Sequence, residues 1–439
     1  MKMKKAISLV LACMLALMLV ACGDNATSGS GSTGSDAGNG GTDNAAASIK
    51  IGVILVGDET EGYTKAHMDG IKTAASELGI AENQIIWKYK IAEDSTCYDS
   101  AVDLIGQGCN VIFSNSYGHQ TYMVQAAEEY PDVTFVSMTG DFAAISGFKN
   151  FKNAFTAIYE ARYVSGVVAG MKLKELLDDG TLSVETQPGS FDANGNVKIG
   201  YVGAYNYAEV VSGYTAFYLG IKSIVPNVVM EVMYTNSWFD IDKEGAAAEA
   251  LIANGSVIIG QHADSTGAPA ATQKLHDNGT ICYSIGYNID MLETAPTAAL
   301  TSATNNWAVY YKHAFECVMN GTELESDWAK GYSEDAVGIT ALGESCAAGT
   351  AEKVAEVEAA LKNGTLHVFD TDTFTVGGAK VESAPCDMSF MDWSTMTAIY
   401  QGDVVEAITD GYFAESTFRS APYFALRIDG ITEDADPVQ

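Results

Sequence analysis

Positive charge is what this chain has least of: 24 Lys and Arg stand against 56 Asp and Glu, a net charge of −32. So acidic a surface repels nucleic acid and anionic lipid headgroups, which removes both as partners. It also keeps a protein in solution, and that purpose accounts for most of the acidity. Catalytic signatures are missing too. His67, His119, His262, His276, His313 and His367 include no H-E-x-x-H pair, so a zinc hydrolase has no support. There is no P-loop and no G-x-S-x-G elbow. The cysteines are scattered with no C-x-x-C among them. A body this large needs no disulfide staple, so Cys97, Cys109, Cys282, Cys317, Cys346 and Cys386 are expected as buried free thiols. No later apolar run is long enough to span a bilayer. No cofactor and no metal is implied.

One sustained apolar run does occur, from Ala6 to Ala21 behind Lys2, Lys4 and Lys5. It is shorter than the roughly 20 residues of a spanning helix. A basic start, a short apolar core and small closing residues make a secretory signal. Leu19-Val20-Ala21-Cys22 resembles the lipobox of bacterial lipoproteins, which implies cleavage before Cys22 and a diacylglycerol on its sulfur. Removal of Lys2, Lys4 and Lys5 then takes the side-chain charge from −32 to −35. From Gly23 to Ser48 there is no large apolar side chain, and such Gly/Ser-rich chain is a flexible coil. The expected layout is a signal peptide at 1–21, a lipidated cysteine and linker at 22–47, and a body tethered to the extracytoplasmic face of the cell membrane. The lipid is its sole membrane contact.

Roughly 390 residues remain, enough for two domains. Strand-like apolar runs at Ile49–Val56, Ile85–Ile91, Val111–Ser114 and Val133–Met138 alternate with helix faces such as Met68, Ile71, Ala75 and Leu78. The pattern restarts with strands at Val197–Gly203, Val228–Tyr234, Val257–Gly260 and Ile281–Ile285. Helices are expected between them at Val211–Ile221, Ala246–Ala253 and Ala270–His276. Strands apolar on both faces, alternating with helices, imply parallel sheets covered by helices. Two such blocks predict an α/β protein of two doubly wound lobes. A helix at Tyr159–Leu177 joins them, with Ser165, Gly166, Ala169 and Gly170 forming a thin face for close packing. Gly180–Asn196 reads as a surface loop. Ala298–Ala303 is a further strand, Trp307–Met319 a helix, and Leu366–Asp370 and Thr373–Val376 are expected as strands. The expected division is 48–153 plus 302–345 for lobe 1 and 154–301 plus 346–385 for lobe 2. Residues 386–439 have no clear period and are expected as an irregular C-terminal extension.

In doubly wound folds ligands bind at the carboxyl ends of the strands. Those ends carry Tyr63, then Asn115 and Tyr117, in the first block. The second block adds Trp238, the run Gln261-His262-Ala263-Asp264-Ser265, and then Asn288 and Asp290. Asn305 follows the crossing strand. The His262–Asp264 triplet has no nucleophile context, so it reads as polar lining and not as a catalytic base; no catalytic residue is expected. Aromatics, amides and carboxylates at facing strand ends suit a flat solute with a polar edge. Tyr63 or Tyr117 on one side and Trp238 on the other sandwich a ring, each contact contributing about 0.5–1.5 kcal/mol beyond burial.

The ordered motifs carry a specific resemblance. They are IGVILV with Gly70 of MDGIK, YPDVTFV at Tyr130–Val136, EARYVSGVVAG at Glu160–Gly170, KIGYVG, and FYLGIKSIVPN at Phe217–Asn227. NSWFD at Asn236–Asp240, IIGQHADSTG at Ile258–Gly267, SIGYNIDM, APTAALTSATNNW and LKNGTLHVFD at Leu361–Asp370 follow. The chain resembles the basic membrane protein (BMP) family of ABC-transporter substrate-binding lipoproteins. The resemblance implies the type I periplasmic-binding-protein fold, with two lobes joined by a hinge, and a monomer that hands a purine nucleoside or purine base to an ABC permease. Base-stacking aromatics carry over to Tyr63 and Trp238, and the first-lobe asparagine to Asn115. The ribose-binding aspartate of nucleoside receptors falls on Asn288, with Asp290 two residues on, and a later lysine falls near Asn305. Loss of that aspartate leaves a free base as open as a nucleoside. A ligand sensor docking on a membrane signalling protein is the alternative with the same cleft.

Overall fold

The computed structural model describes residues 46, 48–392 and 395–434. The expected signal peptide, the lipidated Cys22 and the linker through residue 45 lie outside the described residues. Within the body, the strand–helix alternation builds two sheets.

Lobe 1 contains β1 (Ile51–Ile54), α1 (Gly62–Glu77), β2 (Ile85–Lys88), α2 (Ser95–Gly106), β3 (Val111–Ser114), α3 (Gln120–Glu129), β4 (Thr134–Met138), α4 (Ala143–Ser146) and β5 (Phe151–Thr156). Lobe 2 opens with α5 (Ile158–Asp178) and continues through β6 (Val197–Gly203), α6 (Ala208–Lys222), β7 (Val228–Tyr234), α7 (Ile241–Ala253), β8 (Ile258–Gln261), α8 (Gly267–Asp277), β9 (Tyr283–Tyr287) and β10 (Ala299–Asn305). The parallel strands run in the order β2-β1-β3-β4-β5 in one sheet and β7-β6-β8-β9-β10 in the other. Strand order reverses between β1 and β3, and again between β6 and β8. In doubly wound sheets such switch points, outside the carboxyl ends of the strands, are where ligands bind.

The chain then returns. Helix α9 (Trp307–Asn320) packs on α1, and β11 (Asp327–Lys330) pairs with β5 in lobe 1. Next, β12 (Val337–Ile339) pairs antiparallel with β10 in lobe 2, followed by α10 (Thr350–Lys362). The backbone thus crosses between lobes after Thr156, after Asn305 and after Lys330. The boundary expected at residue 302 falls inside β10, and the segment 302–345 is shared between the lobes. Periodicity cannot reveal this, because a strand reads alike whichever sheet pairs with it.

Two further readings need correction. Strand β5 escaped notice because Lys152 and Asn153 break its apolar run, yet both are buried. Lys152 Nζ donates to Leu324 O at 2.5 Å, and Asn153 Oδ1 accepts the amides of Phe142 and Ala143. Leu366–Asp370 and Thr373–Val376 are not strands. Their backbone groups close turns such as Asp370 N to His367 O, leaving only single bridges at Asp370 and Val376.

The thin face of α5 does what its glycines imply. A Cβ on Gly166 would lie 2.2 Å from Phe217 O, and one on Gly220 would lie 2.1 Å from Tyr163 O. Helices α5 and α6 therefore touch backbone to backbone, and only glycine fits the contact. The six body cysteines are free thiols, with Cys346 and Cys386 half-buried and the others buried.

At the crossings, Glu160 accepts the Tyr332 amide at 2.7 Å, and burial pushes its pKa from 4.5 up to about 7. The folded chain therefore holds this proton more tightly than the unfolded chain does. Its contribution to stability is complete below about pH 4.5 and is lost as pH rises through about 7. Glu160→Gln, which keeps the acceptor, should remove about 2 kcal/mol of the fall in unfolding free energy between about pH 5 and pH 8. Urea titrations at several pH values check this; an undiminished fall would rule out Glu160 as its source.

Candidate ligand-binding site between the lobes

On the lobe 1 side, Asn115 joins the loops that follow β1 and β3. Its Oδ1 accepts Val56 N at 2.8 Å, its Nδ2 donates to Thr64 Oγ1 at 3.1 Å, and its carbonyl accepts the Tyr63 hydroxyl at 2.5 Å. The side chain is 1 % exposed and largely committed to these bonds, so its first task is to set the loops. Half-buried Tyr63 meets His67 edge-on at 4.6 Å, and His67 stacks on Trp307 at 4.3 Å. Burial lowers the His67 pKa to about 3, which makes this a neutral aromatic column.

On the lobe 2 side, the loop after β8 is tied down from within. Gln261 Nε2 donates to the carbonyls of Ala263 and Ser265, while Glu244 accepts the amides of Asp240 and Ser265. Burial raises the Glu244 pKa to about 7. Asp264 N donates to Trp238 O at 2.7 Å, which fixes the tryptophan loop against it. His262 Nε2 lies 2.6 Å from Glu209 Oε1 and its Nδ1 lies 3.3 Å from the Tyr201 hydroxyl. Burial lowers its pKa against the pull of Glu209, so the contact is a hydrogen bond of a neutral imidazole. Half-buried Trp238 stands 6.3 Å from that ring and 5.3 Å from Tyr205.

A polar chain links the two sides. Asn288 Nδ2 donates to Asp264 Oδ1 at 2.6 Å, Asn305 Nδ2 to Asn288 Oδ1 at 3.1 Å, and Thr156 Oγ1 to Asn305 Oδ1 at 2.5 Å. Asn288 sits at φ 64°, a left-handed conformation that asparagine tolerates better than most residues. The N-terminus of α1 closes on the same loop: a Cβ on Gly62 would lie 3.2 Å from Asp264 O. The lobes are therefore in contact at the crevice. Burial first, then the nearby carboxylates of Glu61, Glu244 and Glu209, push the Asp264 pKa well above its usual range. Burial thus disfavours the charged form of this carboxyl, whose Oδ1 accepts from Asn288.

Of the residues singled out from sequence, Tyr63, Asn115, Trp238, His262, Asp264, Asn288 and Asn305 gather here. Tyr117 is 41 % exposed, and its hydroxyl donates to Asp141 at 3.1 Å. Asp290 is exposed, and its carboxylate accepts Leu292 N in a local turn, so the expectation for it is corrected.

Arg162 was missed. It is 2 % exposed, lies 3.6 Å over the Tyr287 ring, and donates to Tyr201 Oη at 2.9 Å and Gln261 O at 2.5 Å. A lone arginine near the start of a Gly/Val-rich helix was the available signal. Thr156 and Glu209 had none, because they matter only through partners distant in the chain.

Two doubly wound lobes, with backbone crossings after Thr156, Asn305 and Lys330, have the type I periplasmic-binding-protein fold. Residues 49–371 match the Bmp family, described as ABC transporter substrate-binding protein PnrA-like, and the chain belongs to it. It is a substrate-binding protein and not an enzyme. A purine-binding protein of Brucella abortus (strain 2308) is 31% identical over 75% of this chain and 85% of its own. Among solved structures, an ABC transporter solute-binding protein of Aeropyrum pernix K1 superposes with TM-score 0.59 at 16% identity, covering 73% of this chain and 93% of its own. One from Conexibacter woesei gives 0.56 at 18% identity, covering 73% and 98%. No helix among the described residues is long and apolar enough to cross a membrane.

Proposed function

We propose that this protein captures a purine, as nucleoside or free base, between its lobes and delivers it to an ABC permease. A lipid on Cys22 holds it at the outer face of the membrane. The observation carrying this reading is the buried chain Asp264–Asn288–Asn305–Thr156, flanked by Tyr63 from lobe 1 and Trp238 from lobe 2. A purine edge alternates N–H donors with ring-nitrogen acceptors. Amide groups, and a carboxyl whose charged form burial disfavours, can answer either kind, and leaving such an edge unpaired would cost about 1–3 kcal/mol. Crowded carboxyls around Asp264 disfavour an anionic ligand, so a nucleotide is excluded from the reading. The purine-binding relative points the same way.

Ligand that touches both lobes favours the closed form by its differential affinity. Calorimetric titration with adenine, hypoxanthine, adenosine, inosine, AMP and glucose tests the reading. One purine base or nucleoside should bind with 1:1 stoichiometry while AMP and glucose do not; saturable glucose binding with silence from every purine would sink it. Trp238→Ala should weaken purine binding tenfold or more, from lost stacking and burial. Unchanged affinity would remove Trp238 from the site without touching the fold. For the anchor, Cys22→Ser should shift the protein from the detergent phase to the aqueous phase in cloud-point partitioning, and retention in detergent would refute lipidation at Cys22.

A further inference from the structure

The chain beyond residue 371 lies outside the family match, and it visits both lobes. It forms β13 (Pro385–Asp387), β14 (Phe390–Asp392), β15 (Thr397–Tyr400), β16 (Val404–Glu406), β17 (Ile408–Thr409), β18 (Tyr412–Phe413) and β19 (Ile431–Asp434). Ala384 and Met388 belong to the lobe 2 core. Two residues later, Phe390 packs into lobe 1, its ring 4.4 Å from Phe142, and Tyr400 stacks on the same ring at 4.8 Å. The chain then returns, because β16 pairs with β13, and Ala407 and Phe413 rejoin the lobe 2 core.

A second excursion follows. Buried Glu415 accepts the amides of Tyr423 at 2.7 Å and Phe424 at 2.9 Å, which closes a tight loop. That loop presents Arg419 to Asp141 at 3.6 Å and the Ser420 amide to Asp327 at 2.8 Å, both on lobe 1. Ala421, Tyr423 and Phe424 lie again in the lobe 2 core. Finally β19 extends the second sheet beside β7, with Glu433 accepting from Tyr214 at 2.8 Å and from Tyr234.

We propose that the described residues between 386 and 434 are an interlobe strap that holds the cleft closed before ligand arrives. The physical reason is lack of slack. A fully extended pair of residues reaches only about 7 Å. Met388 is fixed in one lobe and Phe390 in the other; Ser420 and Ala421 repeat the arrangement one residue apart. Rotation of the lobes cannot be absorbed by the connecting backbone, so it must first peel Phe390 and Tyr400 from Phe142 and part Arg419 and Ser420 from their carboxylates. A receptor whose competent state is already populated loses little affinity to rearrangement. The strap also reaches the rim itself, since Asp141 accepts the Tyr117 hydroxyl as well.

The test is small-angle X-ray scattering of ligand-free full-length protein, comparing the parent with Arg419→Ala and with the double variant Phe390→Ser, Tyr400→Ser. Both variants should show a larger radius of gyration and maximum dimension. Purine, if it binds, should restore the parent profile, which simple damage to packing would not allow. If the closed fraction falls to about one tenth, affinity should weaken about tenfold. Should the double variant lose its circular dichroism, Arg419→Ala alone decides. Scattering curves that superimpose on the parent overturn the strap. Absence of any purine binding would instead strike at the proposed ligand and leave the ligand-free comparison standing.

Discussion

Arg162→Ala is expected to destabilise the folded protein by about 3–5 kcal/mol, the range for breaking a buried charged network by removing one partner. The guanidinium holds the Gln261 carbonyl at the end of β8, the Tyr201 hydroxyl on β6 and the Tyr287 ring at the end of β9. Removing it leaves two buried acceptors without their donor and a void beneath the loop that carries His262 and Asp264. Two of its own N–H groups, at Nε and Nη2, have no partner, so the site is held by geometry more than by full satisfaction. Arg162→Lys should recover little, because an ammonium cannot both lie flat on Tyr287 and keep the forked bonds. Urea unfolding of the three proteins measures the effect. A loss below about 1 kcal/mol would mean the arginine is a bystander, as many substitutions away from buried networks are.

Asp264→Ala should lower purine affinity by about thirtyfold or more. The change removes the carboxyl proposed to meet the ligand and strands the Asn288 amide that donates to it at 2.6 Å. Each such loss costs about 1–3 kcal/mol, and a tenfold change in affinity corresponds to about 1.4 kcal/mol. Asp264→Asn should do far less damage, since burial already disfavours the charged carboxylate and an amide has nearly its shape. The isosteric change also abolishes a titration. The Asp264 pKa is raised in the folded state, so its contribution to stability is present at low pH and lost as pH climbs through the folded value. The melting temperature of Asp264→Asn should therefore fall less steeply with rising pH than that of the parent. Calorimetry with the best purine and melting curves across pH examine both halves. Wild-type affinity in Asp264→Ala would place the ligand elsewhere.

The strand ends were legible from sequence because short, two-faced apolar runs in a parallel sheet have few alternatives. Val111–Ser114, Val197–Gly203 and Val228–Tyr234 match their strands residue for residue. Strand β5 was not, since buried Lys152 and Asn153 look like surface residues until their backbone partners are known. Asp290 and Tyr117 also follow the strand pattern, yet Asp290 spends its carboxylate on a local turn and the Tyr117 hydroxyl donates to Asp141. The last residues hid β19 because four residues on a sheet edge leave too short a period to detect.

What sequence alone determined is the local and repetitive part: two strand–helix blocks, the polar residues that close their strands, and the family the motifs imply. Periodicity reports how a residue faces its own element, and nothing further. Only the tertiary structure decided which sheet receives β10 and β12, that burial raises the Asp264 pKa, and that C-terminal residues contact both lobes. Those features depend on partners distant in the chain, such as Asp141 for Arg419, and on the water their packing expels. Contacts of that kind leave no spacing in the sequence to read.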